Sequence, residues 1–277
     1  MSIVTISRGA KSGGVALAEA LSARLGYTCL SREILVEGAR RYNIDEETLQ
    51  REISHVPSLW ERLTKERHRY LVFIRCALLQ AARKDRVVYH GHAGQLFLQG
   101  IPHVLKVRIE APLEQRVRAV LNELKIDREA AIAHIQQVDE QRRRWVSFLF
   151  DKDWRDPSLY DLTINLASMS IDTACSVVCR ALESPEFSTT DAAQRTLDNQ
   201  SLACEVRAAL AADDRLWNQP LEVSAKDNLV AIRGTVQTKE QRDAITHLVT
   251  MVKGVTDAQV QLTLSSDPLP PVAHWGD

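Results

Sequence analysis

Short apolar runs alternate with helical patterns along the first two thirds of the chain. The first run, Ile3-Val4-Thr5-Ile6, is β-branched and typical of a buried strand. The predicted strands lie at 3–6, 86–91, 103–109 and 160–165. The predicted helices lie at about 14–25, 31–85, 113–124, 127–150 and 170–182. This alternation predicts an α/β domain with a mostly parallel sheet covered by helices on both faces.

The pattern changes after a polar stretch that begins near residue 184 and contains Pro185. The elements predicted beyond it are a helix at 191–212, strands at 221–224 and 229–234, a helix at 238–252 and a strand at 258–264. Their order, αββαβ, predicts a small α+β module, and the alternation within its strands predicts one solvated sheet face. The predicted organisation is a first domain at 1–183, a linker at 184–196, a second domain at 197–265 and a disordered tail at 266–277.

Composition adds few constraints to this picture. The 277 residues suit one domain of middle size and a smaller one, and 35 basic against 36 acidic residues leave a net charge of -1. That balance gives no electrostatic argument for nucleic acid, so we expect no nucleic-acid partner. The chain has no long apolar run and no secretory n-region, so we expect a cytoplasmic protein. Its five scattered cysteines predict reduced thiols rather than a zinc site.

A glycine-containing turn between the first strand and the first helix is the main candidate for chemistry. Gly9 and Gly14 have the separation of the two glycines in the phosphate-binding pattern G-x-x-x-x-G-K-[ST]. In such a loop, backbone N–H groups surround phosphate at the start of a helix. The candidate phosphate-binding residues are Arg8, Gly9, Ala10, Lys11, Ser12, Gly13 and Gly14.

The two positions that usually hold the lysine and the Mg²⁺-binding hydroxyl are Val15 and Ala16 in this chain. Positive charge could come from Lys11 and Arg8 instead, and a hydroxyl for Mg²⁺ from Ser12. A plain strand-to-helix turn with a solvated Lys11 is the alternative interpretation.

Several segments resemble, in the same order, the cytidylate-kinase-like family. The turn, Ile6-Ser7-Arg8-Gly9-Ala10-Lys11-Ser12-Gly13-Gly14, resembles the family's I-S-R-x-x-x-S-G-G start. The other similar segments are 25–27 with 31–35, 87–93, 104–112, the D-x-x-R-x-x-[YW] stretch at 139–145, and D-W-x-D-P-x-x-Y-D-L at 153–162. The resemblance covers about residues 1–182.

This resemblance implies a P-loop kinase fold that transfers phosphate from Mg²⁺-ATP to a pyrimidine monophosphate such as CMP. Catalysis in such a reaction is positioning and charge stabilisation. The loop, with Lys11 as a catalytic cation, would hold the ATP phosphates. The implied lid residues are Arg142 and Arg143, which would close over the transferring group, and Asp139, which would orient them. The implied nucleoside-monophosphate-binding residues are Ser31, Arg32 and His92.

Three residues depart from the family pattern and leave a second function open. Val15 replaces a usual Lys or Arg, Ser31 an acidic residue, and His92 the arginine of G-R-G. Histidine is mostly neutral at pH 7 and lacks the guanidinium fork. The alternative hypothesis is therefore a regulatory protein that binds nucleotide with weak or no catalytic activity. A third hypothesis is a scaffold that binds no nucleotide. A solvated helix face for Arg142 and Arg143, and a turn histidine for His92, are the corresponding structural alternatives.

Residues 198–264 resemble a BON domain, most specifically in the turns at Gly234 and at Gly254-Val255. The resemblance implies a binding or regulatory module whose partner is a protein, a lipid or a small ligand. A module that only supports assembly is the alternative, and the sequence leaves a homo-oligomer open.

Overall fold

The structure, a computed structural model, describes residues 2–31, 33–41 and 67–265. Arg32 and the predicted tail at 266–277 lie outside these residues. The strands, in chain order, are β1 (Ile3–Arg8), β2 (Thr28–Leu30), β3 (Val87–Tyr89), β4 (Val104–Glu110), β5 (Leu162–Asn165), β6 (Leu221–Lys226), β7 (Leu229–Val236) and β8 (Asp257–Leu264). The described helices are α1 (Gly14–Leu25), α2 (Glu33–Arg41), α3 (Arg67–Ala82), α4 (Gly94–Phe97), α5 (Leu113–Leu124), α6 (Arg128–Phe150), α7 (Ile171–Leu182), α8 (Asp191–Ala212) and α9 (Lys239–Met251).

The described residues divide into two compact units that are not continuous in sequence. The first lies within Met1–Ile34 and Lys84–Thr190, and the second within Leu35–Arg83 and Asp191–Asp277. The predicted first domain includes residues 35–83, whereas the described residues of that range, 35–41 and 67–83, group by contacts with the C-terminal residues. Residues 191–196 of the predicted linker belong to α8, where Ala193 is buried.

The first unit contains a five-stranded parallel sheet in the order β2-β3-β1-β4-β5. The predicted parallel sheet is confirmed. Ile3, Val4 and Ile6 of β1 are fully buried or nearly so, since helices cover the central strands. Leu17 and Leu21, four residues apart on α1, are buried, and α1 packs against α7 in the same core.

The second unit contains a three-stranded sheet in the order β6-β7-β8. β6 and β7 are antiparallel, whereas β7 and β8 are parallel with α9 between them in sequence. With α8 before β6, this is the predicted αββαβ order. α9 begins at a capping box. The Thr238 hydroxyl accepts a hydrogen bond from the Gln241 N–H, and the Gln241 side-chain oxygen accepts one from the Thr238 N–H.

α8 is buried along two opposite stripes. Leu202, Val206 and Leu210 pack into the core with the β6-β7-β8 sheet. Leu197 and Cys204 lie on the other side, and the Cys204 thiol donates to the Val72 carbonyl of α3 at 3.6 Å. α3 is therefore an integral part of the second unit.

Candidate functional site

The loop between β1 and α1 lies at the carboxyl ends of the parallel strands, where ligands of open α/β sheets bind. Gly13, at φ 89°, forms the N-cap of α1 in a left-handed conformation. Gly14 follows so closely on the Arg8 side chain that a Cβ there would lie 2.6 Å from Arg8 Cδ. The N–H groups of the first helical turn, having no acceptor within the helix, are left for an anion.

Side chains hold this loop from below and from the side. The buried Ser12 hydroxyl lies 3.1 Å from the Gly9 carbonyl and 3.3 Å from that of Ile109. The Ala10 N–H donates to Asp139 Oδ1 at 2.7 Å, and the Ala10 carbonyl accepts from Arg116 Nε at 2.7 Å. Arg116 also forms an ion pair with Asp139. The Ala10 residue is thus fixed through both its N–H and its carbonyl.

Arg142 of α6 is the predicted lid residue that reaches the loop. Its guanidinium donates to the Arg8 carbonyl at the end of β1. Burial, and after it the positive charge of Arg8, lower the pKa of Arg142 to about 10, and the charge of Asp139 opposes this shift. Burial also lowers the pKa of Arg8, whose guanidinium donates to the His90 carbonyl. Two desolvated cations therefore meet at the loop, which favours a bound anion.

The other two predicted cations are held by carboxylates. Lys11 forms an exposed ion pair with Glu123 of α5. Arg143 donates two hydrogen bonds to Glu140, at 2.7 and 2.6 Å. Hydrogen bonds from Arg143 and then Arg144 lower the pKa of Glu140 to about 2. These bonds direct the Lys11 ammonium to α5 and the Arg143 guanidinium to a carboxylate of its own helix.

Asp139 has a different principal contact from the predicted one. Its carboxylate binds Arg116 and the Ala10 N–H, whereas it acts on Arg142 through its charge. Orientation of the lid arginines by Asp139 remains a prediction.

The predicted acceptor residues lie at the ends of β2 and β3. Ser31 follows β2 and is half-buried. The His92 ring lies 5.6 Å from the ring of Trp145 on α6, tilted by 44°. The structure therefore brings His92 to the helix that carries Arg142, and Arg32 lies outside the described residues.

Sequence reasoning missed Arg108 and Arg116. Arg108 is 6% exposed on β4, 4.4 Å from the Trp154 ring and 5.5 Å from the Tyr160 ring. It donates to Glu110 at 2.7 Å and to the Trp154 carbonyl at 2.6 Å. An arginine at a buried position of a central strand needs partners, and that pattern was the available signal. No comparable signal marked Arg116, because a charge on an amphipathic helix is ordinary.

These residues line a cavity of about 440 Å³ beside the loop, a size that suits a small organic ligand. Its lining includes Gly9, Ser12, Arg108, Arg116, Asp139, Arg143 and Trp154. Across the part of the chain that the structure describes, no three His, Cys, Asp or Glu side chains group as a metal site. Within the same residues, no helix is long and apolar enough to span a membrane.

Comparisons with known proteins agree with this architecture. Residues 3–168 match the profile of the cytidylate kinase-like family, and residues 198–265 match that of the BON domain. A cytidylate kinase from Thermococcus kodakarensis is 23% identical over 182 residues, which cover 65% of this chain and 88% of that protein. One from Methanocaldococcus jannaschii is 24% identical over 107 residues, covering 38% of this chain and 60% of that protein.

A solved structure shares its fold with about two thirds of this chain. It is an uncharacterized protein from Eubacterium ventriosum, with a TM-score of 0.53 and 17% identity, covering 66% of this chain and 99% of that one. Sheet order, loop geometry and the family match together lead to one conclusion: the chain belongs to the cytidylate kinase-like family, and it carries a BON domain at residues 198–265.

Proposed function

We propose that this protein is a phosphotransferase that moves phosphate from Mg²⁺-ATP to a pyrimidine nucleoside monophosphate such as CMP. The observation that carries the proposal is the Arg142 guanidinium, desolvated and bound to the Arg8 carbonyl beside a helix N-terminus. A cation fixed there in advance stabilises charge on a transferring phosphoryl group without reorganisation.

The donor side fits the phosphates of ATP. The first-turn N–H groups of α1 provide donors, and Gly13 and Gly14 let the backbone come close. Arg142 and Arg8 add charge from the end of β1. Bound Mg²⁺ would neutralise part of the β- and γ-phosphate charge. Ser12 carries the hydroxyl of this loop and is the candidate ligand for Mg²⁺. Its contacts with the Gly9 and Ile109 carbonyls fix the position of that hydroxyl.

The acceptor would lie near the carboxyl ends of β2 and β3, where Ser31 and His92 follow these strands. His92, held against Trp145, is the candidate contact for the acceptor phosphate. Arg32 and Ser31 are the further candidates. An imidazole becomes a better phosphate ligand when the phosphate itself raises its pKa.

A regulatory nucleotide-binding protein is the second candidate function. It is favoured by the ion pair that holds Lys11 on Glu123 and by the exposed Val15 at the usual lysine position. Such a protein would bind ATP without acceptor-dependent turnover and act through its BON domain.

The test is ADP formation by the full chain with Mg²⁺-ATP and CMP, dCMP, UMP, AMP or GMP in turn. We expect turnover that depends on a pyrimidine monophosphate. ATP binding by calorimetry in the same samples provides the control. Binding without turnover on any acceptor would overturn the kinase proposal and support the regulatory one. Absence of ATP binding by a folded sample would overturn both.

A further inference from the structure

A second cavity, of about 480 Å³, lies within the second unit and shares no residue with the site described above. Its walls come from α3, α8 and β6. Its size lies in the range of about 300–1,000 Å³ that small-molecule sites occupy.

Three cationic side chains line this cavity: Arg75 of α3, Arg207 of α8 and Lys226 of β6. Of the described residues that line it, none is acidic. The polar groups beside the cations are uncharged: Thr196, Gln200 and Ser224. Three cations that line one recess attract anions, because their positive potentials add at the same place.

The two arginines lie close enough to affect each other. Burial lowers the pKa of Arg207, and the charge of Arg75 lowers it further. Cys204 and Glu222 act in the opposite direction, and Glu222 is exposed and does not line the cavity. An anion between the arginines would stabilise both charged forms.

The arginines are positioned by their neighbours. Arg75 donates to the Gln200 side-chain oxygen at 2.9 Å. Asn199 accepts from the Asp227 N–H at 2.9 Å and so ties α8 to the turn between β6 and β7.

We propose that this cavity binds a soluble small-molecule phosphate ester. Two guanidiniums and an ammonium match a dianionic phosphate better than a single carboxylate, and guanidinium forks fit phosphate oxygens. Apolar walls at Ala203, Val223 and Ala225 would contact the organic part of the ester. The recess holds its ligand within the unit, which favours a free phosphate ester over the headgroup of a membrane lipid.

The test is calorimetric titration of the full chain with ribose 5-phosphate and with inorganic phosphate. Lys226→Gln changes an exposed residue, so it keeps the test valid if the half-buried Arg207→Gln fails to fold. We expect Arg207→Gln to weaken ribose 5-phosphate binding about tenfold or more and Lys226→Gln several-fold. Arg195→Gln is the matched control, since Arg195 is exposed on the same helix and outside the cavity. Its affinity should stay within twofold of wild type.

Loop variants separate this site from the nucleotide site. Ribose 5-phosphate binding that depends on Lys226 should be unchanged in Arg142→Gln. Absence of saturable binding, or equal losses in Arg195→Gln and Lys226→Gln, would overturn the proposal. So would binding to phosphatidic acid vesicles that requires Lys226 while ribose 5-phosphate does not bind.

Discussion

At the scale of single residues, three arginines make polar contacts around the β1–α1 loop. Arg142 and Arg8 meet at the end of β1, and Arg116 binds the Ala10 carbonyl from α5. Arg108 fills the space between two aromatic rings. A loop whose usual lysine position holds Val15 is thus surrounded by cations from other elements.

We expect Arg142→Ala to lower turnover about 100-fold or more, because it removes a preorganised donor for the transferring group. ATP affinity should stay within a few-fold, since the loop N–H groups remain. The measurements are steady-state ADP formation and ATP calorimetry.

Arg144→Ala is the matched control for that variant, because Arg144 is exposed on the same helix and binds Glu140. It should retain nearly all turnover. Wild-type turnover in Arg142→Ala would remove Arg142 from the catalytic machinery.

We expect Val15→Lys to raise kcat/KM for ATP-dependent transfer about tenfold. Val15 is 40% exposed in the first turn of α1, so a lysine there meets no packing barrier. Lys11 pairs with Glu123, so the loop lacks a lysine directed at the phosphate position, and Val15→Lys would supply it. Ala23→Lys, which adds the same charge at the exposed far end of α1, should change nothing.

A Lys11→Ala variant shows whether Lys11 itself serves the phosphate-binding loop. If Val15→Lys has no effect and Lys11→Ala abolishes turnover, then Lys11 leaves Glu123 and serves the loop itself.

At the scale of elements, the junction between β1 and α1 depends on backbone conformation more than on side chains. Gly13 adopts φ 89°, and a Cβ there would lie 2.7 Å from Leu166 Cδ1. Gly26 ends the same helix at φ 65°, and a Cβ there would have open space around it. A side chain at either position would be strained by the left-handed backbone conformation, but only a side chain at Gly13 would also clash with a neighbour.

We expect Gly13→Ala to destabilise the first unit by about 2–4 kcal/mol and Gly26→Ala by about 1–2 kcal/mol, because both force a side chain into the left-handed region. Gly13→Ala should also weaken ATP binding at least tenfold, while Gly26→Ala leaves it unchanged. Urea unfolding and ATP calorimetry measure the two effects. Equal ATP affinities in the two variants would contradict a role for this junction in phosphate binding.

At the scale of the whole molecule, the compact units do not follow the order of the chain. α3 lies inside the range matched by the kinase-like family, 3–168, and packs on α8 of the second unit. α8 can serve both neighbours because its two buried stripes lie on opposite sides.

We expect a fragment of residues 191–265 to unfold less cooperatively than the same region of the full chain, because the α3-facing stripe of α8 is then exposed. A peptide of residues 67–83 added in excess should raise its melting temperature. The combined change Leu197→Gln and Cys204→Ser should abolish that effect, since both residues lie on the exposed stripe. A fragment that melts cooperatively and ignores the peptide would contradict this organisation and support the domain boundaries at 183 and 197.

Much of the site follows from local pattern, and the rest depends on distant contacts. The glycine turn, the helix at 14–25 and the αββαβ order were predictable because each depends on neighbours within a few residues. Arg116 and its pairing with Asp139 were not, since those residues come together only when α5 and α6 pack beside the loop. The site roles of Ser31, His92 and Arg143 stay predictions.

The parallel sheet, the loop between β1 and α1, and the family are all recognisable from sequence pattern alone. Periodicity and glycine positions encode local backbone geometry, and motif order encodes ancestry. Three features depend instead on contacts between residues far apart in the sequence: Lys11 binds Glu123, Arg142 reaches the loop, and α3 joins the second unit. Which carboxylate or carbonyl a given Lys or Arg binds depends on the distances between them in the folded chain. The packing of helices on the sheets sets these distances.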